Sequence, residues 1–100
     1  MEMTIEKIVN GSAAILKITD MLDTETAPEL EAVIDSELVG IQDLTLDFEA
    51  LEYVSSAGLR VILKAQKMMN AAGKMKVVHV NKSIMEIFEI TGFAGILNIE

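Results

Sequence analysis

Leu44-Thr45-Leu46-Asp47-Phe48, then Leu51-Glu52-Tyr53-Val54, then Ser55-Ser56-Ala57-Gly58-Leu59-Arg60: this run decides the fold. Leu44 to Phe48 alternates apolar and polar residues and reads as a short strand. Leu51 to Val54 leads out of it into a small-residue turn. From about Ala57 to Ala72 the spacing changes to that of a helix, with Leu59, Ile62, Leu63, Ala65 or Gln66, and Met69 as its core stripe. Gly73 ends that helix. Arg60, Lys64 and Lys67 share its opposite face, which reads as solvated. Two serines therefore stand where a strand exit meets a helix N-terminus. Serine is a good N-cap there, worth about 1 kcal/mol. An exposed serine in the same place would also accept a phosphate whose charge meets the positive end of the helix.

The elements on either side follow from the same kind of pattern. Met3 to Val9 alternates and is β-rich, Asn10-Gly11 is a hairpin signal, and Ser12 to Thr19 reads as the return strand. Asp20 to Glu25 reads as a polar loop. Thr26-Ala27-Pro28-Glu29 reads as a helix start, with Thr26 as cap, Pro28 in the first turn and Glu29 completing a capping box. Its apolar stripe is Leu30, Val33, Ile34 and Leu38, and Gly40 is its stop. On the far side, Met75 to Val80 is a near-continuous apolar strand of the kind covered on both faces. That places His79 in a buried-type strand. Asn81 caps a third helix, Lys82 to Ile90, stopped by Gly92, and Ile96 to Ile99 offers a last edge strand. The expected class is α/β: a mixed sheet opening with an antiparallel hairpin, helices packed on it, in the order ββαβαβα with a possible final β.

With 100 residues the chain is expected to form a single domain, residues 1–100. Half of it is hydrophobic, enough for a core without staples. The lack of cysteine excludes disulfides and thiolate chemistry, and one histidine leaves no multi-histidine metal site or Ser-His-Asp triad. No glycine-rich phosphate loop is present, so the reading is not an enzyme, with no cofactor. A net charge of −8 argues against nucleic acid. No stretch reaches the ~20 apolar residues of a membrane helix, so a cytoplasmic protein without membrane insertion is expected. The charge is uneven. Thirteen of the sixteen acids lie in residues 1–53, and six of the eight basic residues lie beyond them. The changeover falls on the serine loop.

Three segments together carry a family resemblance. Asp20-Met21-Leu22-Asp23-Thr24-Glu25-Thr26-Ala27 is similar to a Gly-x-Leu-Asp-x-x-Thr-Ala loop. Leu46-Asp47-Phe48 through Leu59 resembles a strand–loop–helix signature, and Phe88-Glu89-Ile90-Thr91-Gly92-Phe93 a closing helix and stop. All three resemble the STAS domain, specifically the stand-alone anti-sigma factor antagonists. The resemblance implies partner switching. An unphosphorylated antagonist binds an anti-sigma factor serine kinase and frees a sigma factor. The kinase then phosphorylates one antagonist serine and releases it, and a serine/threonine phosphatase removes the mark. Aligned on Gly58-Leu59, the acceptor is Ser56, with Ser55 the second candidate. Ser55 stands where the family commonly has aspartate, and Ala57 where it has a second hydroxyl residue. Asp23, Thr24, Thr26, Ser55, Ala57, Gly58 and Arg60 are the expected partner-binding residues, on a monomer or weak dimer. An alternative within the resemblance is a subunit docked on an ABC transporter ATPase or a signalling scaffold.

Overall fold

The computed structural model describes residues 3–100. Six strands and three helices alternate: β1 Ile5–Asn10, β2 Ala13–Ile18, β3 Asp20–Leu22, α1 Ala27–Ser36, β4 Asp43–Asp47, β5 Leu51–Val54, α2 Ser56–Ala72, β6 Lys74–Val78 and α3 Lys82–Thr91. The hairpin forms as expected, Asn10 opposite Ala13, with β1 and β2 antiparallel. Its loop is Gly11-Ser12 rather than Asn10-Gly11: Gly11 takes φ +62° and Asn10 stays in the strand. A glycine first in a two-residue loop suits a type II′ turn.

The main sheet has the order β1-β2-β4-β6, with β4 parallel to both of its neighbours. The order of elements is the expected one, with two short strands added. β3 and β5 pair in parallel as a second ribbon. Asp20 to Leu22 is thus a strand where a loop was expected. Asp20 reaches it through a left-handed φ of +64°. Its N–H donates to the Ala50 carbonyl at 2.9 Å, which seats the ribbon beside the end of β4.

Burial alternates along the central strands. Ala14, Leu16 and Ile18 of β2, Leu44 and Leu46 of β4, and Met75 and Val77 of β6 are buried, and their neighbours are half-buried or exposed. One sheet face therefore carries the helices and the other is open. This corrects the expectation that β6 lies in a sheet covered on both faces. β6 ends at Val78, so His79 is not a strand residue. It turns out at φ +58° with its side chain 56% exposed. The final strand is reduced to one bridge, Val77 to Ile99, with Val77 N–H donating to the Asn98 carbonyl and Glu100 N–H to that of Val77.

Under the covered face, Phe48 and Phe88 are fully buried with ring centroids 6.5 Å apart, joined by Leu30, Ile34, Ile62 and Met69. Val61 and Ala65 of α2 are also buried, while Leu63 is only half-buried. The basic face of α2 is not merely solvated. Lys64 Nζ lies 2.9 Å from both Glu31 and Asp35 of α1, and those carboxylates hold its ammonium above its ordinary pKa. Lys74 of β6 faces Asp43 of β4 at 3.8 Å. The uneven charge of the sequence is thus partly cancelled in space, because acids of the first half meet lysines of the second.

His79 and Asp47 make a further ion pair at 2.9 Å, with Glu49 at 4.0 Å from the ring. The Asp47 hydrogen bond raises the His79 pKa. Burial pushes Asp47 up, but hydrogen bonds from His79 and the Glu49 N–H outweigh it and hold its carboxyl low. Charged His79 therefore adds stability that is complete below its unfolded pKa of about 6.5 and is lost as pH rises through its higher folded value. The Asp47 contribution is present above the ordinary carboxylate range and is lost only as pH falls through its lowered value. His79→Asn, tolerant of positive φ, is expected to lower the melting temperature more at pH 5.5 than at pH 8.5. Parallel thermal melts of the two proteins across that range check it; equal differences at both ends would exclude the pairing.

Candidate functional site

The site is built from two loops that leave the β3–β5 ribbon side by side. Ser55 N–H donates to the Leu22 carbonyl at 2.8 Å, so the exit of β5 is tied to the exit of β3. The Asp23 loop thereby comes next to Ser55-Ser56. Asn81 supports the ribbon from below. Its Nδ2 donates to the Leu51 carbonyl at 2.9 Å while its Oδ1 accepts the Ile84 N–H at 2.8 Å as the cap of α3.

Asp23 organises the first loop. One carboxylate oxygen accepts from the N–H groups of Glu25 and Thr26, at 3.0 and 3.1 Å, and lies 3.1 Å from the Thr26 hydroxyl. These bonds, that from the Thr26 N–H foremost, hold its pKa below the usual value against the opposing effect of burial. The Thr26 hydroxyl accepts the Asp23 N–H and also reaches the Met21 carbonyl, each at 2.8 Å. Thr26 holds the N-cap position of α1, but its side chain faces back into the loop and makes no capping bond, contrary to the expectation drawn from the Thr26-Ala27-Pro28-Glu29 pattern. The capping box with Glu29 is absent too, since the Glu29 N–H goes to the Thr26 backbone carbonyl at 3.0 Å. Asp23 and Thr26 instead lock each other. Thr24 is exposed at the tip.

In the second loop the two serines have different surroundings. Ser55 is extended and is the N-cap of α2; its Oγ accepts the Gly58 N–H at 3.4 Å and its carbonyl accepts the Leu59 N–H at 2.9 Å. Ser56 is the first residue of the helix and is exposed, and its hydroxyl has no hydrogen-bond partner among the described residues. Ala57 is half-buried and Gly58 buried. Arg60, one turn on, is 68% exposed with its nearest carboxylate, Glu31, at 4.0 Å. A free hydroxyl at the positive end of a 17-residue helix can take on a phosphoryl group without giving up a native contact.

Gly58 is what lets the loops meet. A Cβ on it would sit 2.8 Å from both Cγ and the carbonyl oxygen of Leu22. Gly58→Ala is therefore expected to destabilise the fold by about 1–3 kcal/mol through overpacking. It should also push α2 off the Asp23 loop. Denaturant unfolding measures the first effect, and amide exchange at Ser55 the second, because its bond to Leu22 is the one displaced. An unchanged midpoint would refute the close approach.

Sequence reasoning found both loops, but it missed the ribbon that aligns them. It also missed Met21 and Tyr53, which stand opposite each other on β3 and β5 and are 46% and 43% exposed. Their exposure follows from the β3–β5 pairing, which no local sequence signal gives.

Residues 4–100 match the family model described as STAS domain, so the chain belongs to the STAS family, and its relatives are anti-sigma factor antagonists. BtrV of Bordetella bronchiseptica, provisionally designated an anti-sigma factor antagonist, is 32% identical over 99% of this chain and 85% of its own length. The anti-sigma-B factor antagonist of Staphylococcus aureus is 29% identical over 99% of this chain and 94% of its own. Among solved structures, an anti-sigma factor antagonist from Mycobacterium paratuberculosis superposes with a TM-score of 0.87 at 19% identity, over 98% of this chain and 85% of that one. The unphosphorylated form of the anti-sigma factor antagonist SpoIIAA gives 0.75 at 16% identity, over 99% and 87%. These likenesses bear out the α/β fold class. No described helix is long and apolar enough to cross a membrane.

Proposed function

We propose that this chain is the phosphorylation-switched antagonist of a bacterial partner-switching system. In its unphosphorylated form it binds an anti-sigma factor serine kinase and so frees a sigma factor. The kinase transfers the γ-phosphoryl group of ATP to the Ser56 hydroxyl and leaves as ADP is formed; a serine/threonine phosphatase resets the chain. The cycle is cytoplasmic and asks of the chain neither a cofactor nor catalysis of its own.

The observation that carries the reading is the difference between the two serines. Ser55 is spent on capping α2, and Ser56 is free at the same helix end. That difference supports Ser56 as the acceptor and a structural role for Ser55, where the family commonly places aspartate. Either residue can cap a helix, so the departure keeps the fold. Asp23, Thr24, Thr26, Ala57, Gly58 and Arg60 make up the rest of the partner surface: Asp23 and Thr26 by fixing the neighbouring loop, Gly58 by bringing α2 against it, and Thr24, Ala57 and Arg60 by contact.

Mixing the chain with its cognate kinase tests this directly. Without nucleotide the two should co-elute on gel filtration; with ATP and magnesium the complex should dissolve as phosphate accumulates on the chain. Co-purification with an ABC-type ATPase in place of a kinase, or a kinase complex that ATP leaves intact, would overturn the reading.

A further inference from the structure

We infer that Met21 and Tyr53 form the apolar anchor by which the kinase proposed above grips this chain, separate from the serine that releases it. The inference rests on that partner-switching reading and adds a second determinant to it.

Met21 and Tyr53 are cross-strand partners in the β3–β5 ribbon, and both remain half-exposed although the residues that follow them, Leu22 and Val54, are buried. Met21 is two residues before Asp23, and Tyr53 two before Ser55, which is itself extended. The apolar pair therefore stands directly before the Leu22–Ser55 bond that ties the two loops together, so a partner covering both loops has it alongside. Asp20, Glu25 and Glu52 rim it in sequence. An aromatic and a methionine inside a polar rim is the composition of an interface centre, where a few large side chains supply most of the affinity. The acidic rim fixes the partner's chemistry: an apolar hollow bordered by lysine or arginine.

Anchor and switch then divide the work. The Met21–Tyr53 contact is available in both phosphorylation states and sets the baseline affinity. The Ser56 phosphoryl group sets the ratio between the states.

Isothermal titration of the kinase, without ATP, into wild type, Tyr53→Ala, Met21→Ala and Ser56→Asp reads the two terms separately, with thermal melts confirming that each variant is folded. Tyr53→Ala is expected to weaken binding at least tenfold and Met21→Ala several-fold. Tyr53→Lys serves as the second variant if truncation unfolds the ribbon. Placing a cation before a basic partner, it should weaken binding more than tenfold. Normal binding by folded Tyr53 variants, with Ser56→Asp impaired, would overturn the anchor and leave the switch standing. Impaired Tyr53 variants with Ser56→Asp binding normally would keep the anchor and overturn the switch. A wild-type chain that does not bind the kinase at all would remove both.

Discussion

Ser56→Asp is expected to lower the affinity for the kinase by about a hundredfold while leaving the melting temperature nearly unchanged. The size follows from charge. A phosphoserine carries about −1.5 to −2 charges at neutral pH, and aspartate supplies part of that. A charge pressed against the apolar part of an interface without a counter-charge costs several kcal/mol in lost hydration, and each 1.4 kcal/mol is a tenfold change in affinity. The loop already holds Asp23, whose carboxyl stays ionised well below neutral pH because the Thr26 and Glu25 N–H groups bond to it. The unchanged stability follows from structure, because Ser56 is exposed and its hydroxyl has no hydrogen-bond partner among the described residues. Ser55→Ala should behave in the opposite sense. It removes the α2 cap and costs about 1 kcal/mol of stability, with phosphoryl acceptance retained. Titration calorimetry and thermal melts on the two variants separate these outcomes.

Gly73→Ala is expected to be the most damaging single-methyl change in the chain. Gly73 closes α2, its N–H donating to the Met69 carbonyl at 2.7 Å, and Lys74 then donates to the Gln42 carbonyl at 2.9 Å as β6 enters the sheet beside β4. A Cβ on Gly73 would run into that same Gln42 carbonyl. Backbone cannot swing aside as a side-chain tip can, so β6 has to shift away from the start of β4. Overpacking of this kind costs about 3 kcal/mol. For a domain of this size that is a drop of roughly 12–24 °C in melting temperature. A melt within a few degrees of wild type would show that helix and strand meet less tightly than described. Gly40, with open space around its Cβ position, lacks this packing constraint and is held only by its positive φ.

Much of the fold was legible because its signals are local. Hydrophobic alternation marked β1, β2 and β4, and a near-continuous apolar run marked β6. Gly11, Gly73 and Gly92 marked the turns and stops, and Asn81 the cap of α3. What escaped was set by distant partners. Asp20-Met21-Leu22 has the composition of a loop and becomes a strand only because β5, thirty residues on, lies parallel to it. Thr26 has the sequence of a helix cap, yet its hydroxyl finds better partners in Asp23 and Met21. His79 lay inside an apolar run that read as strand, and left-handed backbone with an Asp47 partner turned it outward. Lys64 looked solvated because its acids, Glu31 and Asp35, sit on another helix.

The serine pair shows the same division. The sequence places both hydroxyls at one helix end, and spacing alone does not separate cap from acceptor. The hydrogen bond from Gly58 N–H to Ser55 identifies the cap and supports the proposal of Ser56 as the acceptor.

The proposed switch turns on Ser56. The direct measurement is to incubate the wild-type chain, Ser55→Ala and Ser56→Ala with the cognate kinase and ATP, then map phosphate by tandem mass spectrometry. Modification of wild type and Ser55→Ala at Ser56, with Ser56→Ala unmodified, is the predicted result. Phosphate on Ser55, or none on any of the three, would contradict it.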